Sequence, residues 1–283
     1  MKVLISADME GTCGVVSWVH CEAPELGAVV SNQSEYDRAR LRMTLEVNAA
    51  IEGALAGGAD EVIVNDSHDG QRNLIPEALH IEARYINGND KFFGMMQGID
   101  QDIDAVFYTG YHAKAGTPAA PLAHTWTTYL QDVRFDGVST GEFGLNAVIA
   151  GHFGVPVVFI SGDDKAVAQT QAILGDQVVG AVVKEGLSTF SAMNLHPEKA
   201  RQLIRAGAER AMSEVDVATP FRLPEDVTVE LDYDHQARAD QTLLIPGITR
   251  VSERTIAFQP KDGIEFTRFF RGAMKLSGIR MTP

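Results

Sequence analysis

The sequence predicts an α/β fold: a mostly parallel or mixed sheet with helices on both faces, plus a smaller α+β C-terminal domain. Three observations carry this. Four short apolar runs are rich in β-formers, helical spacing separates them, and the texture turns charged and irregular after about Glu185. The division read from that change is 1–185 for the main α/β domain and 186–283 for the smaller domain or lobe.

Taken in order, Lys2 to Ala7 is a short buried strand, and Glu61-Val62-Ile63-Val64-Asn65-Asp66 is the next. Between them Met43, Val47, Ala50, Ile51, Ala54 and Leu55 follow the three-and-four rhythm of one helix face, and Gly57-Gly58 stops it, which makes a β-α-β unit. A third run, Asp104 to Gly110, and a fourth, Val155 to Ser161, are equally apolar, with Gly141 to Gly151 suited to a helix between them. Leu130 to Val138 reads as a hairpin around the turn dipeptide Asp136-Gly137. Beyond residue 185 the pattern gives an amphipathic helix over His196 to Glu214 and a proline-bearing stretch from Thr219 to Pro224. Strands follow at Val227 to Leu231 and Thr255 to Phe258, then a last helix over Gly263 to Leu276.

The chain of 283 residues is 45% hydrophobic, and its mean hydropathy of -0.05 suits a globular protein. No run approaches the roughly 20 apolar residues of a bilayer span, and the start lacks the charged, apolar and small-residue regions of a signal peptide. A cytoplasmic protein without a membrane partner is expected. A formal charge of -14 repels phosphate backbones and argues against nucleic acid. Cys13 and Cys21 lie in one early segment with a spacing that misses structural zinc patterns, so they are expected as buried or loop thiols.

In open α/β sheets, functional groups gather beyond the carboxyl ends of the strands. The first strand runs into Ser6-Ala7-Asp8-Met9-Glu10-Gly11, where two carboxylates one residue apart repel unless a cation lies between them. The second ends in Asn65-Asp66-Ser67-His68, an imidazole at a strand exit whose second nitrogen Asp66 is placed to orient. The third ends in Gly110-Tyr111-His112, and His124 follows after a proline-containing loop. Glu142 opens the helix at Gly141-Glu142-Phe143-Gly144, where an acid either complements the helix dipole or reaches a ligand. These are three carboxylates, Asp8, Glu10 and Glu142, and two to three imidazoles, His68, His112 and His124. Mixed oxygen and nitrogen donors suit zinc, manganese or cobalt better than calcium. Two ions about 3.5–4 Å apart, sharing a carboxylate and a water, account for so many donors better than one.

The series Ser6-Ala7-Asp8-Met9-Glu10-Gly11, Asn65-Asp66-Ser67-His68, Gly110-Tyr111-His112-Ala113, the His124 region, Gly141 to Ala147 and Gly162-Asp163-Asp164 resembles the DppA-type zinc D-aminopeptidases. The resemblance is strong over the first two thirds of the chain. It implies a binuclear zinc aminopeptidase that removes N-terminal residues, D-amino acids such as D-Ala, from short peptides or amides. It also implies two Zn2+ per subunit, with Mn2+ or Co2+ as substitutes. Asp8 would bridge the ions, Glu10 and His68 would complete one site, His112 and Glu142 the other, and His124 would be the catalytic residue. A two-domain subunit in a ring-stacked homodecamer is implied as well. The segment from Ser17 to Asn32 is longer than the family pattern.

An aminopeptidase must also hold a free ammonium, for which Asp163 and Asp164 are candidates, though acids just after a strand also cap helices. Two other readings fit a metal pair: another two-metal hydrolase, such as a phosphoesterase or amidase, and a non-catalytic metal-binding protein. No arginine cluster beside the ligand motifs offers to hold a phosphate, and a purely metal-holding protein leaves the surplus histidine unexplained.

Overall fold

The computed structural model describes residues 1–23 and 32–280. Residues 24–31 of the long segment from Ser17 to Asn32 therefore lie outside the described residues. No helix among those described is long and apolar enough to cross a membrane.

The main sheet has seven strands. In chain order they are β1 (Lys2–Ala7), β2 (Glu61–Asp66), β3 (Ala83–Ile86), β4 (Ala105–Tyr111), then β7 (Val157–Asp163), β8 (Val179–Ser188) and β9 (Ser191–Asn194). They lie in the order β3-β2-β1-β4-β7-β8-β9, parallel except for β9, which pairs antiparallel with β8. The α/β class expected from the sequence is thus the observed one, with a mixed edge.

Alternation along β1 sorts its side chains between two cores: Val3, Ile5 and Ala7 face one, Leu4 the other. The first core is closed by α2 (Gln33–Ala56) and α5 (Pro197–Ala211), which pack on each other. Helix α2 starts where the Asn32 side chain accepts from the Ser34 and Glu35 amides and stops at Gly57, as its sequence signals require. The second core takes α3 (Glu142–His152), α7 (Gly263–Ser277) and a second, five-stranded sheet.

That second sheet has the order β11-β12-β10-β5-β6. It joins the hairpin β5 (Leu130–Phe135) and β6 (Val138–Thr140) to β10 (Val229–Tyr233), β11 (Thr249–Arg250) and β12 (Thr255–Phe258). Sheet membership therefore does not change at one point in the chain. β5 and β6 lie before residue 185 yet belong with the C-terminal strands, whereas β9 and α5 lie after it and belong with the main sheet. The cause is a long-range antiparallel pairing, Val229 with Phe135 and Leu231 with Val133, which no local composition shift reports. Helices α1 (Trp18–Cys21), α4 (Asp164–Leu174) and α6 (Gln236–Thr242) complete the described elements.

Candidate metal centre and cavity

β1, β2 and β4 are adjacent and parallel, so their C-terminal ends deliver Asp8, Glu10, His68 and His112 to one place. The fit of β1 to β4 depends on Gly110, whose φ of +68° and lack of a Cβ let it lie against the Asp8 carbonyl; a Cβ would stand 2.2 Å from that oxygen. Gly11 N–H then donates to the Gly110 carbonyl at 2.7 Å. Glu142 arrives from the first turn of α3, and His124 from the loop before β5. Leu122 and Trp126, two residues to either side of His124, both hold left-handed backbone, φ +52° and +64°, a conformation costly for such side chains.

All six residues named from the sequence converge. His68 Nδ1 lies 3.3 Å from Asp8 Oδ1 and 3.0 Å from Glu10 Oε2. His112 Nε2 lies 3.5 Å from Asp8 Oδ2 and 3.3 Å from Glu142 Oε1. His124 Nε2 is slightly farther, 3.8 Å from Glu10 Oε1 and 3.7 Å from Glu142 Oε1. The rings of His112 and His124 stack at 4.1 Å.

Each imidazole has its other nitrogen tied to a backbone carbonyl. His68 Nε2 donates to Cys21 O at 2.9 Å, His112 Nδ1 to Ala113 O at 3.0 Å, and His124 Nδ1 to Leu122 O at 2.8 Å. A carbonyl only accepts, so the proton sits on the tied nitrogen and the lone pair of each neutral ring points at the carboxylates. Asp8 Oδ2, Glu10 Oε2 and His112 Nε2 are moreover buried without a hydrogen-bond partner. Unsatisfied acceptors are expensive away from water, and a cation satisfies them together. Three clusters of donor atoms fit one ion each: Glu10, Cys21 and His68; His112, His124 and Glu142; Asp8, Glu10 and His112.

Without a cation the cluster distributes protons unevenly. Burial, then the Glu10 charge, pushes Asp8 up to about 7. Burial works against charge on Glu10 and Glu142, but the facing His68 and His112 outweigh it and hold both acids below their ordinary values. Burial likewise disfavours charge on His112, but Glu142 overcomes it and lifts the ring to about 10; Glu10 and Asp8 lift His68 in the same way. His124 differs. Burial and the neighbouring His112 charge both lower it, so it stays neutral.

The expected role of Asp66 is not what the structure shows. Its carboxylate accepts from the Asn73 and Leu74 amides and from the Asn73 side chain, shaping the loop after His68, while Cys21 O takes the second His68 nitrogen. Cys13 and Cys21 are both buried free thiols, as expected, and burial raises the Cys21 thiol well above its ordinary pKa. Asp163 caps α4 through the Lys165 and Ala166 amides, and Asp164 accepts from Gly186 N–H; neither lines the cavity.

Sequence reasoning missed Lys184. Buried midway along β8, its ammonium donates to the carbonyls of Glu10, Thr12 and Val15 and so fixes the turn that carries Glu10. Its only signal was a lysine closing an apolar run, Val182-Val183-Lys184. Also unforeseen is a buried network beneath the cluster, in which Ser6 Oγ meets Tyr111 Oη at 2.7 Å and Asn146 donates to the same hydroxyl at 2.8 Å.

Above the cluster opens a cavity of about 670 Å³. Asp8, Glu10, His68, His124 and Glu142 are on its wall; His112 lies beneath His124 and does not line it.

The chain and its fold have known relatives. The family model for D-aminopeptidases, peptidase family M55, matches residues 1–272. The chain belongs to the D-aminopeptidase family. It is 34% identical over 266 residues to the D-aminopeptidase of Bacillus subtilis strain 168, covering 94% of this chain and 93% of that relative. Among solved structures it superposes on the zinc-dependent D-aminopeptidase DppA of Bacillus subtilis, described as a self-compartmentalizing protease. The TM-score is 0.92 at 31% identity, and both chains are covered in full. As a member of the D-aminopeptidase family the chain is a hydrolase, an enzyme of the metallo-aminopeptidase class.

Proposed function

We propose that this chain is a binuclear zinc D-aminopeptidase that releases an N-terminal D-residue such as D-Ala from short peptides or amides. The observation that carries it is the orientation of the imidazoles: each is held by a carbonyl so that its free lone pair meets carboxylates, among which three buried polar atoms lack any partner. Asp8, with one oxygen toward His68 and the other toward His112, is the residue placed to bridge two ions. Glu10 and His68 would complete one site, His112 and Glu142 the other. Mn2+ or Co2+ suits the same donors. Zinc held by these residues would supply Lewis acidity, making water more acidic and the scissile carbonyl more electrophilic.

His124 is the catalytic residue in this reading. It faces the cavity, its Nε2 is the more distant from the acids, and the five other residues suffice for the ions. From that place it takes a proton from the attacking water and returns one to the leaving amine. Trp18, edge-on to it at 5.3 Å, limits water around the ring.

The relative described as self-compartmentalizing supports assembly of this chain into a homo-oligomer, a decamer by the family resemblance. The β8–β9 hairpin leaves Leu187, Phe190 and Met193 exposed, an apolar patch of the kind a subunit contact covers.

The deciding experiment reconstitutes the protein with zinc and offers paired D- and L-alanyl p-nitroanilides and dipeptides, with p-nitrophenyl phosphate alongside. Turnover of the D-alanyl members is expected. Hydrolysis of the phosphate ester alone would make the protein a phosphoesterase, and tight zinc without any turnover would leave a metal-binding protein.

A further inference from the structure

The wall of the cavity also carries a cation that the chemistry at the metal cluster does not use. Arg271, on α7, lines the cavity and is half-buried. Among the described residues no hydrogen bond or ion pair reaches its guanidinium; the Trp126 ring lies 6.0 Å from its Cζ, and the Asp90 charge acts on it from beyond ion-pair distance. The other cation on this wall is engaged, since Lys275 pairs with Asp90 at 2.6 Å. The fold makes room for Arg271. Gly94 holds φ +55°, and a Cβ there would stand 2.7 Å from Arg271 Nη1 and 3.0 Å from the Trp126 ring. A guanidinium stays charged even when partly buried, and a carboxylate can take two of its fixed donors at once in place of water.

Trp126 links this cation to the carboxylate cluster. Its backbone N–H donates to Glu142 Oε1 at 2.7 Å while its ring lies beside Arg271. The guanidinium is therefore about one tryptophan side chain and one contact away from the acids, a span that two to four extended residues cover at roughly 3.3–3.6 Å each. The cavity thus holds the buried carboxylate cluster and, apart from it, a fork-shaped cation without an ion-pair partner, while the other acid beside that cation, Asp90, is taken by Lys275; this suits a short peptide with a free ammonium and a free carboxylate.

We propose that Arg271 binds the C-terminal carboxylate of the substrate, making the enzyme selective for short peptides with a free C-terminus over their amides. This rests on the aminopeptidase reading of the same cavity. Trp126 and Gly94 hold the guanidinium in place, and the distance from it to the acids sets the peptide length.

The test compares D-alanyl-D-alanine with D-alanyl-D-alaninamide on the zinc-loaded protein, as wild type, Arg271→Met and Arg271→Lys. For wild type, kcat/KM should favour the free acid. In R271M the acid-to-amide ratio should fall about tenfold or more, chiefly through KM, the loss of a charge-assisted hydrogen-bonded pair. R271K should recover part of the ratio. An unchanged ratio in R271M overturns the proposal, as does a change that tracks altered subunit assembly, which would assign Arg271 to a neighbouring copy. Calorimetric titration of the same two dipeptides separates this from failure of the aminopeptidase reading. If neither is cleaved, preferential binding of the acid that R271M abolishes still supports the carboxylate site, and equal binding of acid and amide ends it.

Discussion

At the tips of β1, β2 and β4 the protein buries Asp8, Glu10, His68 and His112, whereas in the second sheet the equally buried residues are Val133, Leu231, Ile256 and Phe258, packed on Phe266 and Phe270 of α7. The second sheet is stabilised by apolar area and ladder hydrogen bonds, about 25 cal/mol for each Å² removed from water. The strand tips gain little of that kind. They hold charges that burial opposes and leave three polar atoms without partners. Burial thus serves stability in one region and, in the other, keeps a set of lone pairs aimed at a common point. The backbone of the turn carrying Glu10 is held by Lys184 and by the Gly110 contact.

Substitutions in the two regions should therefore fail in different ways. Asp8→Asn, which neutralises the proposed bridging group, is expected to remove bound zinc and with it all measurable turnover, while the circular dichroism spectrum stays native; a fully metallated, active variant would refute the bridge. His124→Ala should lower kcat about 10²–10⁴-fold with zinc content unchanged by elemental analysis. Equal loss of zinc would make His124 a ligand. Leu231→Ala, in the second sheet, should cost about 2–5 kcal/mol in denaturant unfolding yet leave zinc per folded subunit and KM as in wild type. If it instead stripped the metal, the two regions would be one cooperative unit with the site.

Two smaller effects sharpen the contrast. Lys184→Met removes three donated hydrogen bonds from the Glu10 turn without touching a donor atom, and zinc affinity should fall about 10–100-fold by competition with a chelator. Affinity equal to wild type would show that the turn holds itself. In the metal-free protein His112 is raised to about 10 and Asp8 to about 7, so both carry protons at lower pH that zinc must displace. Zinc affinity should therefore rise with pH, by up to about tenfold per unit for each proton released, with acid appearing on binding. Binding that is independent of pH between 6 and 8 would contradict those shifts.

Local pattern in the chain was enough for several elements. β2 and β12 run over the predicted residues, α2 ends at its predicted glycine, and the hairpin turns at Asp136-Gly137, where both residues take positive φ. β3 was not legible, because the half-exposed Ala83–Ile86 has neither an apolar run nor a clean alternation. The site residues were legible for a different reason: acids and imidazoles immediately after buried strands are uncommon enough to be noticed. The roles of Cys21, Lys184 and Arg271 were not, since each depends on a backbone carbonyl, a turn or a ring that lies far away in the chain.

By itself the sequence determined which residue types stand at the strand exits, because strand periodicity and the ordering of β-α-β units are local and fix what leaves the sheet at its carboxyl edge. Only the tertiary structure decided which nitrogen of each histidine faces the acids, that β5 and β6 join the C-terminal strands, and that a cation lines the same cavity as the carboxylates. The strand pairing and the cation depend on contacts between residues tens to hundreds of positions apart, and the histidine tautomers on carbonyls of Cys21, Ala113 and Leu122 whose direction the folded backbone sets; neither leaves a periodic trace in the chain.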